Sequence, residues 1–480
     1  VATAAGAKPQ EGTQAKTIPW ARILGGVLGI LVCWYVWTRP LPKDLKPGAM
    51  QALALMGLMV VWWAFRVFDE WAVALIYPTY LISAKIVPSA TALSALTGST
   101  WWTLVAAIGL GVVVIKSGLL QRISYWMLLL FPPTYRGQSA AFLATGIITT
   151  PIIPTTLGKM AIMNPIALAV AKGLGYKENS EGAAGLGMSV WVGFSIPFFL
   201  FVTGSTTPLA VYGLLPNKAS VSYFDWVIAA WPLALGVIVL SYIAVLFLYK
   251  PEKSVTGTAR TVVKEALAKM GQPSRNEWLA LAGLLFLMIM WSTESFHKIP
   301  SGWVGLMGLM FWAFTGAMTK ADYKNIDWPF LTYLAVVISL GDSFKALGID
   351  KWLTASSMSY LQPLTKSPLL FALGLAVATY VLRLFLASWL SFVTLMMVLF
   401  APFAAKVGFS PLALGLVLLA ALNTWVPSYQ SPVYLTGYYA ADGKSFTHAQ
   451  SARLGIAYLF IVLVALIPSV YYWQWLGLIK

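Results

Sequence analysis

The chain has 480 residues, of which 59% are hydrophobic and 10% charged, and its mean hydropathy is +0.77. One soluble core cannot absorb so many apolar runs, and a helix crossing a bilayer takes about 18 to 20 apolar residues, so the sequence reads as an all-α polytopic membrane protein. The formal charge of +16 comes from basic residues between the runs, where they mark cytoplasmic loops; this excludes a nucleic-acid-binding reading.

Residues 1–19 are small, polar and basic and lack the apolar core of a secretory signal, which predicts a disordered tail. A first membrane helix is expected within 20–49. Apolar runs follow near 50–66, 71–88, 101–118, 139–157, 160–175, 186–213 and 226–249. The connection 250–276 then carries Lys250, Lys253, Arg260, Lys264, Lys269 and Arg275 against Glu252 and Glu265, which places it in the cytoplasm. Beyond it, runs near 277–293, 303–319, 328–348, 368–387, 390–405, 410–437 and 452–474 repeat the order seen from residue 50. The chain thus divides into a tail, one extra helix, a first repeat (50–249), a cytoplasmic linker (250–276) and a second repeat (277–480).

Residues mark the repeat as well. Trp101-Trp102-Thr103-Leu104 opens a span ending Lys116-Ser117-Gly118, and Asp327-Trp328-Pro329-Phe330-Leu331 opens one ending Lys345-Ala346-Leu347-Gly348. Halves with odd numbers of crossings have opposite orientations, and inverted repeats of this kind bind a transported ligand near the midplane at broken helices. The breakers are Pro151, Pro154 and Gly158, then Gly204-Ser205-Thr206-Thr207-Pro208, in the first half. In the second they are Ser388, Ser391 and Thr394, then Val426-Pro427-Ser428-Tyr429-Gln430-Ser431-Pro432. Unpaired backbone at membrane depth needs protein or a polar cavity around it, so each half should bring one hairpin tip and one unwound helix centre to a shared site. Helix N-termini meeting there favour an anion.

At these residues, and from about residue 50 to the C-terminus, the chain resembles the divalent anion/sodium symporter family of dicarboxylate and tricarboxylate carriers. The segments carrying the resemblance are Asn325-Ile326-Asp327-Trp328-Pro329 leading to Leu340-Gly341-Asp342, Thr203-Gly204-Ser205-Thr206-Thr207-Pro208, and Ser428-Tyr429-Gln430-Ser431-Pro432 followed by Gly437. The resemblance implies about 11 transmembrane helices plus two re-entrant hairpins, an elevator-type mechanism and a homodimer. Family members carry Ser-Asn-Thr at each hairpin tip, where Asn and backbone carbonyls hold sodium and Thr touches a substrate carboxylate. Here the tips read Pro154-Thr155-Thr156-Leu157-Gly158-Lys159 and Ala387-Ser388-Trp389-Leu390-Ser391-Phe392, with no Asn in either. That departure points away from sodium coupling and toward the sodium-independent dicarboxylate exchanger branch, whose members place a basic residue just after the first tip, as Lys159 stands here.

A charged lysine near the bilayer centre costs at least about 2.5 to 3.5 kcal/mol and needs a polar cavity or a partner. Three roles are open for Lys159: facing the substrate in place of a bound cation, snorkelling to the interface, or pairing with a distant acid. Arg383 poses the same question, as a carboxylate clamp or as a structural partner of Asp342. Thr155, Thr156, Ser205, Thr206, Thr207, Ser388, Ser391, Ser428 and Ser431, with Gln430, are the expected hydrogen-bond donors to ligand oxygens; Trp389 and Tyr429 are expected to wall the pocket. Neither His297 nor His448 lies at membrane depth and Cys33 is alone, so no metal, no cofactor and no enzyme chemistry is expected. The reading is a secondary carrier of small organic anions such as succinate, malate or 2-oxoglutarate, working by exchange in a bacterial inner membrane or a plastid envelope. The alternative is a sodium- or proton-coupled symporter of a sulfonate, a tricarboxylate or another anion.

Overall fold

The computed structural model describes residues 19–153, 155–215, 221–252, 258–349, 352, 367–384 and 388–480. All of the expected tail 1–19 except Pro19, which opens α1, lies outside them, as do Pro154 of the first tip and Ala387 of the second. The helices of the first half are α1 (Pro19–Trp37), α2 (Ala49–Ala64), α3 (Glu70–Ser83), α4 (Ser99–Ser117), α5 (Leu119–Leu130), α6 (Tyr135–Thr149), α7 (Thr156–Gly173), α8 (Glu181–Phe194), α9 (Thr206–Gly213) and α10 (Tyr223–Leu248). Then come α11 (Ala259–Lys269) in the linker, α12 (Arg275–Ser292), α13 (Ser301–Thr315), α14 (Trp328–Leu347), α15 (Pro368–Leu382), α16 (Trp389–Lys406), α17 (Pro411–Leu422), α18 (Pro432–Ala440) and α19 (His448–Trp475).

Spans α4 and α14 each stop at a left-handed glycine, Gly118 (φ +82°) and Gly348 (φ +78°), a conformation that costs any side chain with a Cβ. Each is followed by a two-armed hairpin, α6–α7 or α15–α16, an interrupted helix, α8–α9 or α17–α18, and a long closing helix, α10 or α19. After Gly118 the amphipathic α5 leaves α4 at 65°. The amphipathic stretch expected after Gly348 lies outside the described residues.

Among the described residues, four helical stretches are long and apolar enough to cross a bilayer unaided: 181–199, 223–248, 328–347 and 448–475. The α4–α5 pair makes a fifth if counted as one span. Length and hydropathy alone therefore pick out four or five crossings rather than eleven. The surface tells the same story as the hydropathy. Trp20, Leu24, Ile30 and Trp34 on α1, Phe247 on α10 and Phe460 on α19 are exposed, which suits lipid rather than water.

Packing sorts the helices into two groups, each drawn from both halves of the sequence. A framework joins α1, α2, α3, α4, α12, α13 and α14. A second bundle joins both hairpins with α8, α9, α10, α17, α18 and α19. Helices α5 and α11 run between them, α5 touching α6 and α12, and α11 lying on α5 and α7. The Arg122 guanidinium of α5 pairs with Glu277 at the start of α12 (2.6 Å) and donates to the Gly271 carbonyl (2.9 Å). Lys116 at the end of α4 pairs with Asp322 (2.6 Å), and Arg275 donates to the Thr315 carbonyl (3.2 Å). The end of α4, the loop 316–327 and the linker therefore share one face of the molecule.

Hairpin 1 is fixed to the first interrupted helix by close backbone approach. A Cβ on Gly146 of α6 would sit 2.0 Å from the Gly193 carbonyl oxygen of α8, and one on Gly193 would sit 2.5 Å from the Phe142 carbonyl. Small residues of this kind let helices approach where lipid supplies no hydrophobic drive. The hydroxyls of Ser139 and Ser189 meet across the same seam. Gly146→Val should destabilise the protein by more than about 2 kcal/mol, since backbone cannot move aside as a flexible side chain can. Gly341→Ala, where nothing lies within 4 Å, should stay within about 1 kcal/mol of the parent. Thermal unfolding of the detergent-purified proteins checks both.

Candidate functional site

The first hairpin turns where α6 runs out of helix-compatible sequence at Pro151. The hydroxyls of Thr145, Thr149 and Thr150 donate to carbonyls one turn back, so they carry no unmet polarity into the apolar arm. Thr155 then caps α7, its oxygen accepting from the Gly158 N–H (3.2 Å). The second hairpin restarts in the same way, with Ser388 accepting from the Ser391 N–H (3.3 Å). In the interrupted helices Ser205 caps α9 through the Thr207 N–H (3.2 Å), and Ser431 caps α18 through the Tyr434 N–H (3.1 Å), with Pro432 at the first helical position. Four helix N-termini thus begin on a Ser or Thr. In each the hydroxyl oxygen accepts from backbone, which leaves its proton to be donated elsewhere.

These four starts surround one cavity of about 1060 Å³. Its wall on the bundle side is Thr155, Thr156 and Leu157 from the first tip, Ser388, Trp389 and Leu390 from the second, Ser205, Thr206 and Thr207 from the first break, and Pro432 and Val433 from the second. The convergence of tips and breaks expected from the breakers is therefore present. Positive helix ends facing a shared cavity suit an anion. Thr156 is buried, and its hydroxyl has no hydrogen-bond partner among the described residues.

Two of the buried cations, Lys159 and Arg383, stand one layer behind this wall. Lys159 is fully buried, and its ammonium donates to the Gly204 carbonyl (3.3 Å) and the Thr150 hydroxyl (3.4 Å). It does not snorkel, and it forms no ion pair among the described residues. Nor does it line the cavity; Thr155 and Thr156 on its own turn do. Arg383, also fully buried, donates to the Gln430 carbonyl in the second break and lies over the Phe392 ring at 5.9 Å. The pairing with Asp342 weighed from sequence gives way to a Ser94 hydroxyl bound to that carboxylate (2.7 Å). Each half thus ties its hairpin to a carbonyl of its interrupted helix through a side-chain cation.

The remaining expected residues divide. Thr155, Thr156, Ser205, Thr206, Thr207 and Ser388 line the cavity. Lys159, Arg383, Ser391, Ser428, Gln430 and Ser431 do not. Ser391 is turned to the Ser388 hydroxyl (3.0 Å), Ser428 and Gln430 form the turn preceding α18, and Ser431 caps α18. Trp389 walls the cavity as expected, whereas the Tyr429 hydroxyl donates to the Leu384 carbonyl (2.9 Å).

Sequence reasoning missed the opposite wall. The framework contributes Arg22, Arg66, Phe68, Asp69, Glu70, Lys116, Asp322 and Asp327. No local signal distinguishes these from ordinary loop charges, since packing alone brings them to the site. Burial pushes the Asp322 carboxyl up, but the Lys116 ammonium and the Thr319 hydroxyl and N–H outweigh it and hold the group below its usual range. Lys116 and Asp322 lie on the linker's face, so the cavity opens toward that face.

A large cavity walled by two hairpin tips and two helix interruptions, in an otherwise apolar helical protein, defines a multi-pass membrane transporter rather than an enzyme. The sequence profile of the sodium:sulfate symporter transmembrane region matches residues 21–479, and the chain belongs to that family of divalent anion/sodium symporters. It is 25% identical to dicarboxylate transporter 1 of Arabidopsis thaliana chloroplasts, over 84% of this chain and 74% of the relative. It is 22% identical to the L-tartrate/succinate antiporter of Shigella dysenteriae, over 89% and 88%. In fold it is similar to the YdaH transporter of Alcanivorax borkumensis, with a TM-score of 0.52 and 14% identity over 96% of this chain and 97% of that one.

The first tip is held to the first break by a second bond, from the Thr203 hydroxyl to the Pro151 carbonyl (2.8 Å). Thr203→Val keeps the shape and orphans that carbonyl. It should cost about 1 to 2 kcal/mol and speed amide exchange at residues 155–158, read by hydrogen–deuterium exchange mass spectrometry.

Proposed function

We propose that this protein exchanges small dicarboxylate-type anions across a membrane, with Lys159 and Arg383 supplying the positive charge that bound sodium supplies in symporting members of the family. The observation that carries the reading is the symmetry of the two cations. Each is buried, and each donates to a backbone carbonyl of an interrupted helix, a kind of oxygen that also holds sodium in the family. The Gly204 carbonyl dipole orients the Lys159 ammonium without neutralising it, so the lysine keeps its positive charge until an anion enters.

That charge sets the transport mode. An empty site would have to cross the low-dielectric interior carrying uncompensated charge, whereas a loaded one crosses near neutrality. Return with a second anion is then the favoured route. The bundle of hairpins and interrupted helices is the part that moves against the framework, the two halves of the chain have opposite orientations, and the working unit is a homodimer, as the family resemblance implies. Names of the relatives support the cargo class: two are dicarboxylate transporters or tartrate/succinate antiporters.

The test is uptake of radiolabelled succinate into proteoliposomes under three conditions: a sodium gradient, a proton gradient, and preloaded unlabelled dicarboxylate. Preloading should raise uptake more than tenfold while neither gradient does. Strict sodium dependence overturns the assignment of the cations. In the same assay Lys159→Met should lower exchange more than tenfold. Thr156→Val should raise the KM about five- to tenfold, the loss of one hydrogen bond worth roughly 1 to 1.5 kcal/mol, while leaving thermal stability unchanged or higher.

A further inference from the structure

We propose that Arg66, on the framework wall of the cavity, is a further anion-attracting residue that acts only while the site faces the linker side, so that the protein binds its cargo more tightly from the cytoplasm than from the opposite side. The inference rests on the anion-exchange reading above and adds a sidedness that the hairpin residues cannot supply, because they travel with the site.

The Arg66 backbone is fixed by a turn that closes α2. It terminates α2 with its N–H donating to the Trp63 carbonyl (3.3 Å) while the Val67 N–H donates to the Trp62 carbonyl (3.0 Å). This pair of bonds puts Arg66 in the left-handed region, at φ +51°. Glycine fills the equivalent place after α4, α13 and α14, at Gly118, Gly316 and Gly348. An arginine there is strained by comparison. Strain alone assigns nothing, since Lys85 and Lys298 share the conformation and a basic side chain suits a helix C-terminus.

Position singles Arg66 out. Its exposed side chain lines the cavity and forms no ion pair among the described residues, although Asp69 and Glu70 stand on the same rim. Of the two other basic groups on this wall, Lys116 is engaged by Asp322, and Arg22, like Arg66, has no ion pair among the described residues. Arg66 also lies within Coulombic range of Arg383 behind the second tip. With the site empty the two guanidinium groups repel across the cavity; with an anion between them both are attracted to it. The rim of Arg66, Asp322 and Lys116 lies on the face of the basic linker, which the positive-inside rule puts in the cytoplasm. Once the bundle carries the site away from this face, Arg66 stays behind.

Arg66→Gly is the discriminating variant, because it removes the charge while relieving the backbone. Exchange KM is measured from each side, in right-side-out and inside-out membrane vesicles with saturating anion in trans, with Arg66→Lys alongside. The expected result is a cytoplasmic KM raised about five- to tenfold in Arg66→Gly, an opposite-side KM within twofold of the parent, an unchanged or higher melting temperature, and recovery in Arg66→Lys. A cytoplasmic KM within twofold of the parent, or an equal rise on both sides, overturns the inference and leaves the exchange reading standing. A parent protein that exchanges no dicarboxylate overturns both.

Discussion

A positive charge that cannot reach water governs this structure. Lys159 and Arg383 are each fully buried, and each donates to a backbone carbonyl of an interrupted helix, that of Gly204 or of Gln430. Interrupting a helix frees carbonyls in the apolar interior, so the breaks in α8–α9 and α17–α18 supply the acceptors that the cations of the two hairpins use. Remove the break and the cation loses its acceptor; remove the cation and an unpaired carbonyl is stranded in an apolar interior.

From that constraint the rest of the site follows. A hairpin tip must lie against its interrupted helix for the contact to form, and the glycine seam of Gly146 and Gly193 lets α6 and α8 approach closely enough. The restarts of both hairpins and both interrupted helices then face one another, and each begins on a Ser or Thr that caps it. Helix ends, hydroxyl protons and buried cations reinforce a single sign of potential around the cavity. In the proposed mechanism an anion completes the charge balance, and the framework wall with Arg66 and the Lys116–Asp322 pair tunes it from one side.

Particular residues show how far the sequence could be read. The fold class was legible because apolar runs and breakers are local, and so were two span ends, with Gly118 closing α4 and Gly348 closing α14. Thr155, Ser205 and Ser388 could be named for the site because a hydroxyl beside a breaker is a helix start. Ser391, Ser428 and Gln430 share that composition yet do not line the cavity, since which side of a turn a residue occupies depends on the register of the break. The two cations stood out for their apolar surroundings, but their acceptors did not, because the carbonyls of Gly204 and Gln430 bear no side-chain mark.

By itself, the sequence determined that this chain lives in a bilayer, that breakers interrupt its apolar runs, and that Lys159 and Arg383 stand within apolar sequence close to those breakers. Each of these is written in hydropathy, spacing and local backbone preference. Only the tertiary structure decided what those cations touch, which of the hydroxyls face the cavity, and that Arg66 and Asp322 form its far wall. Contacts between residues hundreds of positions apart arise from the packing of one helix group on another, and no local preference encodes them.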